Sequence, residues 1–190
     1  SDGAVKALYR LRDQKMVRFI GITSHADPKT LAAALERYDF NATQMALNAG
    51  LQGRSPDGGG YWKKGGADDL FGEALPPKPA PGSSFEEVAL PVAVRKNLGI
   101  IAMKVTAQEG LIGTGAGKAQ AAQLIRYALS LPVSVVTVGM PKPEFIKENA
   151  ALVRSFKPMP ETERRQLSSP LAEANKTALH HHFNHEHRDA

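Results

Sequence analysis

Ser24 and His25 stand together after the run Val17-Arg18-Phe19-Ile20-Gly21-Ile22-Thr23. A serine beside a histidine raises acyl transfer, in which the imidazole takes the hydroxyl proton. Neighbouring strand residues point to opposite faces, however, and no acid partner is indicated, so hydrolysis is the weaker reading. Lys104 closes the apolar run Gly99-Ile100-Ile101-Ala102-Met103. A lysine at a strand end can form a Schiff base. No desolvating pocket is signalled here, and a surface or cofactor-loop lysine fits better. Gly110, Gly113, Gly115 and Gly117 precede Lys118 in the manner of a phosphate loop, but Ala119 follows where G-x(4)-G-K-[ST] needs a hydroxyl. Five histidines crowd the end of the chain: His180, His181, His182, His185 and His187. Imidazoles at this density chelate Zn²⁺ or Ni²⁺. Phe183, Asn184 and Glu186 interrupt them, and a flexible tail with opportunistic metal affinity is expected rather than a structural metal site.

The elements that would position these groups alternate. Asp2 precedes a helical pattern through Val5, Leu8 and Leu11, which fits a chain that starts partway through a domain. Residues 17–23 read as a strand, and Asp27-Pro28 starts a helix through Leu31, Leu35 and Tyr38. Residues 42–47 are the second strand. The stretch 49–83, with Gly58-Gly59-Gly60, Gly65-Gly66 and four prolines between Pro76 and Pro81, is a long loop insertion, expected to lie over the C-terminal mouth of the strands. Ser84 and Glu87 form a capping box at the head of the next helix. Residues 99–104 are a strand of the doubly covered kind, a helix follows through Leu124 to Leu129, and residues 133–138 are the fourth strand before a helix over 143–155. Residues 158–178 form a C-terminal helical extension starting at Pro160-Glu161, and 179–190 a histidine-rich tail. Strands alternating with helices imply parallel pairing with right-handed crossovers. Four such units suit either a small open sheet or half of a (β/α)₈ barrel.

Bulk properties narrow the function classes. The chain has 190 residues, 42% of them hydrophobic and 23% charged, enough for one domain with a sizeable core. A net charge of +5 is scattered, with basic clusters no longer than pairs such as Lys63-Lys64, so nucleic acid is not expected as a partner. The absence of cysteine excludes disulfides, thiolate metal sites and cysteine nucleophiles. With no apolar run of membrane-spanning length and no signal peptide at Ser1, a soluble protein is expected, cytoplasmic by default.

Particular residues decide between the sheet and the barrel. Val17 to Ser24 with His25, then Asn41-Ala42-Thr43-Gln44, then Gly99 to Lys104, then Val133 to Gly139 with Glu144, Glu148 and Asn149 occur in order and spacing. This series resembles strands five to eight of the aldo-keto reductase family. The resemblance implies that residues 1–157 are the C-terminal half of a (β/α)₈ TIM barrel. It also implies that NADP or NAD binds at the C-terminal ends of the strands, where such barrels keep their sites. In the family a Ser–Asn pair and a strand-six Gln read the nicotinamide carboxamide. The resemblance carries these roles to Ser24, His25 (a histidine where the family has asparagine) and Gln44, which gains its meaning from standing in register with Ser24. Met103 stands where a tyrosine stacks on the nicotinamide. Lys104, Gly110 and Leu111 fall where the family wraps the pyrophosphate. Gly139, Met140, Lys142, Glu148 and Asn149 fall where it holds the adenosine end. Lys142 is the nearby cation, Pro141 and Phe145 replace the usual polar residues, and NAD versus NADP is left open.

The family's acid–base residues, a Tyr tuned by Lys and Asp with a nearby His, belong to strands one to four. The resemblance therefore implies an NAD(P)H-dependent oxidoreductase of which this stretch is the cofactor-binding half, inactive by itself on a small carbonyl substrate. The rival reading is a non-catalytic binding or assembly module built from the same half-barrel. In either case the open strand edges lead us to expect self-association or pairing with an N-terminal half.

Overall fold

The computed structural model describes residues 3–25, 27–52 and 84–185, with side chains to residue 175. The lid reading of 49–83 falls mostly on residues 53–83, and His187 on the last few; both lie outside the described residues. The elements are α1 (Gly3–Asp13), β1 (Gly21–Ser24), α2 (Pro28–Arg37), β2 (Ala42–Ala46), α3 (Phe85–Arg95), β3 (Gly99–Met103), α4 (Ala121–Leu129), β4 (Val135–Val136), α5 (Pro143–Arg154) and α6 (Glu161–His185). The four strands form one sheet in the order β1-β2-β3-β4, every pair parallel. This is the expected alternation of strand and helix.

Local chemistry sets the starts of the helices. Asp27 Oδ1 accepts from the backbone of Lys29 (2.9 Å) and Thr30 (3.0 Å), and Pro28 takes the first turn of α2. Ser84 and Glu87 make the reciprocal capping box at α3, with Ser84 N donating to Glu87 Oε2 at 2.8 Å. The far end of α2 is covered from α3, where Lys96 Nζ donates to the carbonyls of Leu35 (2.5 Å) and Tyr38 (3.1 Å).

The two outer strands are shorter than 17–23 and 133–138. Each has a partner on one side alone, so fewer residues are held in a ladder. Val17 and Phe19 lie exposed ahead of β1, and Asn41 Oδ1 accepts from Ile20 N at 3.0 Å in place of a ladder bond. Beside β4, Ser134 N donates to Ile100 O (2.8 Å) and Thr137 N to Ala102 O (2.9 Å), which extends the backbone pairing by one residue each way. At the base, a Cβ on Gly21 would stand 2.8 Å from the Ala42 carbonyl oxygen, so only glycine allows this approach of β1 to β2.

The ladder register sorts side chains into two faces. Thr43, Met45, Ile100 and Ala102 are buried with Leu31, Leu35, Phe85, Ala89, Leu124 and Ala128 from the helices. The opposite face carries Gly21, Thr23, Ala42, Gln44, Gly99, Ile101 and Val135, all exposed or half-buried. The end helices share this asymmetry: α1 and α5 bury no residue, while α2, α3 and α4 all do. Ile146 and Val153, two turns apart on α5, are exposed, as are Met16, Phe19 and Val135.

Outside the sheet, α6 is fastened to the end of α4. Arg126 makes a two-point ion pair with Glu163 (2.5 and 3.1 Å) and donates through Nε to Lys157 O, while Arg164 donates to Ser130 O and Met159 O. Among these contacts Tyr127 is fully buried, its hydroxyl donating to Glu86 Oε2 at 2.7 Å. Burial, and then the Glu86 carboxylate, push that phenol well above its ordinary value.

Two stability measurements follow. Below about pH 10 the Tyr127 phenol is neutral in both folded and unfolded chains; above it the unfolded chain ionises first, so stability falls as pH rises. Tyr127→Phe is expected to lose about 1 to 3 kcal/mol at pH 7 and to flatten that alkaline decline, read by urea unfolding at pH 7 and at about pH 11. Thr43 Oγ1 is buried with no hydrogen-bond partner among the described residues. Thr43→Val is expected to hold or raise stability by about 1 kcal/mol, and a loss of that size would reveal a bond to the hydroxyl.

Candidate mouth site at the strand ends

The C-terminal ends of parallel strands are where side chains of different units converge, and here they are tied by a buried amide network. Asn48, just past β2, is 1% exposed, and Gln52 is 4% exposed. Asn48 Nδ2 donates to Gln52 Oε1 (2.9 Å) and to the Lys104 carbonyl (3.0 Å), while its Oδ1 accepts from Gly50 N (3.1 Å). Gln52 Nε2 in turn donates to the His25 carbonyl (3.0 Å), and Gln52 O accepts from Phe85 N at the head of α3. The ends of β1, β2 and β3 are thereby fixed to one another. The sequence reading stops its second strand before Asn48 and gives neither amide a role. The signal was present in the order Asn48-x-Gly50, which lets the side chain accept from the backbone two residues on.

Backbone strain gathers in the same place. Of seven non-glycine residues with positive φ among the described residues, five follow strand ends: Leu51 after β2, and Lys104, Ala107, Gln108 and Glu109 after β3. Each left-handed residue costs about 1 to 2 kcal/mol. Three in succession persist only where the surroundings over-determine them, and such positions cluster at functional sites.

Half-buried Gln44 and buried Met103 (5% exposed) are brought together on the sheet face turned away from the helices, Gln44 Nε2 donating to Met103 Sδ at 3.4 Å. Ser24 is not part of that pair. The register places Thr23 opposite Gln44 and Ser24 opposite Met45, so Ser24 and Gln44 leave the sheet on opposite faces. This corrects the expectation that the two stand in register. The Ser24 hydroxyl donates to Asp27 O (3.2 Å) within the turn into α2. His25 lies half-buried after it.

The loop from Lys104 to Ala119 folds back on itself. Leu111 is buried, its N donating to Thr106 O; Ala119 N donates to Leu111 O (2.8 Å), Gly113 N to Ala119 O (3.1 Å), and Lys118 Nζ to the exposed Gly110's carbonyl (2.5 Å). Gly139, Met140, Pro141 and Lys142 form an exposed irregular segment after β4, Glu148 is exposed on α5, and Asn149 is half-buried. His180, His181, His182 and His185 fall on the last turns of α6. Among the described residues no group of three or more His, Asp or Glu is placed to hold a metal ion, and no helix is long and apolar enough to cross a membrane.

No protein-family model matches the chain, and no curated protein matches it in sequence. Solved structures do. The holo form of aldo-keto reductase AKR11C1 from Bacillus halodurans superposes with a TM-score of 0.56 and 16% identity, over 87% of this chain and 54% of that one. The apo form gives the same score and identity, over 87% of this chain and 55% of that one. The chain thus spans about half the length of these structures. At that identity the likeness speaks for the fold alone: this protein has the α/β architecture of about half an aldo-keto reductase barrel.

Proposed function

We propose that the four βα units are the nicotinamide-dinucleotide-binding half of an aldo-keto reductase-type oxidoreductase, and that the ligand lies across the mouth described above. The observation that carries this reading is the coincidence, at the C-terminal strand ends, of a half-buried amide, a buried amide network and a run of left-handed residues. The donor set suits the group. A carboxamide needs a donor and an acceptor, and Gln44 offers both. Its Nε2–H meets a thioether, a weak acceptor that a carbonyl oxygen would outcompete. The Met103 thioether beside it can cover a ring face. His25, and the backbone rather than the side chain of Ser24, would border the nicotinamide end, Lys104, Gly110 and Leu111 the diphosphate, and Gly139, Met140, Lys142, Glu148 and Asn149 the adenosine end. Lys142 and Lys104 bring positive charge to either NADP or NAD.

The cofactor supplies hydride; these residues bind and orient it. The Tyr, Lys, Asp and His that would protonate a carbonyl substrate belong, on this reading, to the other half of the barrel. The exposed face of the sheet and the exposed Met16, Phe19, Ile146 and Val153 would meet that half or a second copy of this chain. Covering about 300 Å² of apolar surface is worth about 7 kcal/mol at about 25 cal/mol per Å², comparable with the whole stability of a domain. The same exposed residues support a second reading, a non-catalytic assembly module with no dinucleotide affinity.

The 190-residue chain is therefore expected to show no carbonyl reduction above background with NADPH or NADH, yet to quench or shift NADPH fluorescence on binding. Gln44→Ala should weaken that binding by about 3- to 10-fold, the value of one polar contact. Robust turnover would sink the half-site assignment, and wild-type chain that ignores both dinucleotides would favour the assembly module. In sedimentation at micromolar concentration the chain is expected to self-associate. A monomer that unfolds cooperatively would show that the exposed face needs no partner.

A further inference from the structure

The helix α6 follows the four βα units and reaches the glycine-rich loop at the mouth. It starts at the base, where Arg126 and Arg164 tie residues 157–164 to the end of α4. Fourteen residues later, about 21 Å along a helix, it reaches the glycine-rich loop that precedes α4. There Asn175, 8% exposed, donates from Nδ2 to the Gly117 carbonyl (2.8 Å) and to Leu171 O of its own helix (2.8 Å). An amide nitrogen has two hydrogens, and both are used. Gly117 is buried with φ of +74°, and a Cβ there would stand 2.8 Å from Ala174 Cβ and 2.9 Å from Asn175 Nδ2. Glycine is thus required twice, for its backbone angle and for the approach of the helix.

The loop has few other anchors beyond its neck. Ala119 and Leu111 close it by backbone bonds, and Lys118 holds Gly110 O. Thr114, Gly115 and Ala116 at its tip are exposed. Gly117 is where this loop is fastened to an element outside its own unit.

We propose that Asn175 is a positioning residue: it holds the 106–119 loop in its binding conformation from outside the barrel units, and so makes α6 a determinant of affinity for the dinucleotide's diphosphate without touching it. The ligand part of this inference rests on the function proposed above; the loop part does not. Removing the donor leaves the buried Gly117 carbonyl unsatisfied, which favours a loop that swings away from the helix to reach water.

Hydrogen exchange and NADPH titration on the 190-residue chain separate the two parts. Asn175→Asp keeps the side chain's size and removes both donors; Gly117→Ala attacks the same contact from the loop side. Arg165→Ala, which removes an exposed ion pair within α6, is the control. Both test variants are expected to speed amide exchange in 108–118 by about tenfold, to leave 161–169 and α4 unchanged, and to raise the NADPH dissociation constant by a similar factor. The control should do neither. Unchanged loop exchange in both variants overturns the positioning role. Faster loop exchange with unaltered NADPH affinity overturns the link to the ligand. Wild-type chain that fails to bind NADPH overturns the functional reading, while the exchange result still decides the role of Asn175. If Asn175→Asp does not fold, Gly117→Ala carries the same decision, because its disturbance starts in the loop.

Discussion

A strand that must run parallel to its predecessor can only be reached by crossing back, and in this chain every crossing brings a helix. With the strands in sequence order and the crossovers right-handed, all those helices fall on the same side of the sheet. One face of each strand is therefore pressed against α2, α3 and α4, and the other faces away from them. The burial of Thr43, Met45, Ile100 and Ala102, against the exposed Thr23 and Val135 and the half-buried Gln44 and Ile101, is the direct result, residue by alternating residue. An open doubly wound sheet would have covered both faces. The end helices α1 and α5, which bury no residue, flank the two edge strands β1 and β4 of the same sheet.

Parallel strands also bring all their C-terminal ends to one edge, and the energetics there differ from the rest of the molecule. Along the helices the backbone bonds itself. At the strand ends the chain turns sharply, and carbonyls such as those of His25 and Lys104 need partners from side chains. Asn48 and Gln52 supply them from the middle unit, which joins three units through two side chains. The left-handed run at Ala107, Gln108 and Glu109 stands immediately beyond. A loop that carries about 3 to 6 kcal/mol of backbone strain needs fixed ends, and the amide network at Lys104 provides one of them.

Repeated, local signals were legible in the sequence. Two helices announce their starts with a cap, Asp27-Pro28 at α2 and Ser84 with Glu87 at α3, and β3 is an apolar run, covered by the helices on one face rather than on both as its composition suggested. The edges of the sheet were less legible: Val17 to Phe19 has strand composition, yet composition cannot say that a second partner strand is absent from that stretch. The pairing of Ser24 with Gln44 failed for a related reason. A motif fixes which residues occur near a strand end, but the face each one takes depends on a register that a shift of one residue inverts. Asn48, Gln52 and Asn175 escaped notice because a buried amide looks in sequence like any polar residue near a loop; only the carbonyl it meets, 56, 27 or 58 residues distant respectively, gives it a role.

The open face also has a gradient that bears on how a barrel could close over it. The ladder register sets Gly21, Ala42 and Gly99 in one row at the base, and Thr23, Gln44, Ile101 and Val135 in the next row toward the mouth. The base row contains almost no side-chain volume, and at Gly21 it has no room for any, since a Cβ would meet the Ala42 carbonyl at 2.8 Å. A barrel interior is filled to crystal-like density, so volume missing from one set of strands has to be brought by the facing set. On the function proposed here, the strands that complete this barrel would carry their bulkiest inward residues at the base, opposite the glycines. The row nearer the mouth already holds branched and amide side chains, and leaves correspondingly less space for what faces it. Packing would then tighten at the base, where stability is set, and leave room beside the half-buried Gln44, with the buried Met103 behind it, where a ligand has to enter.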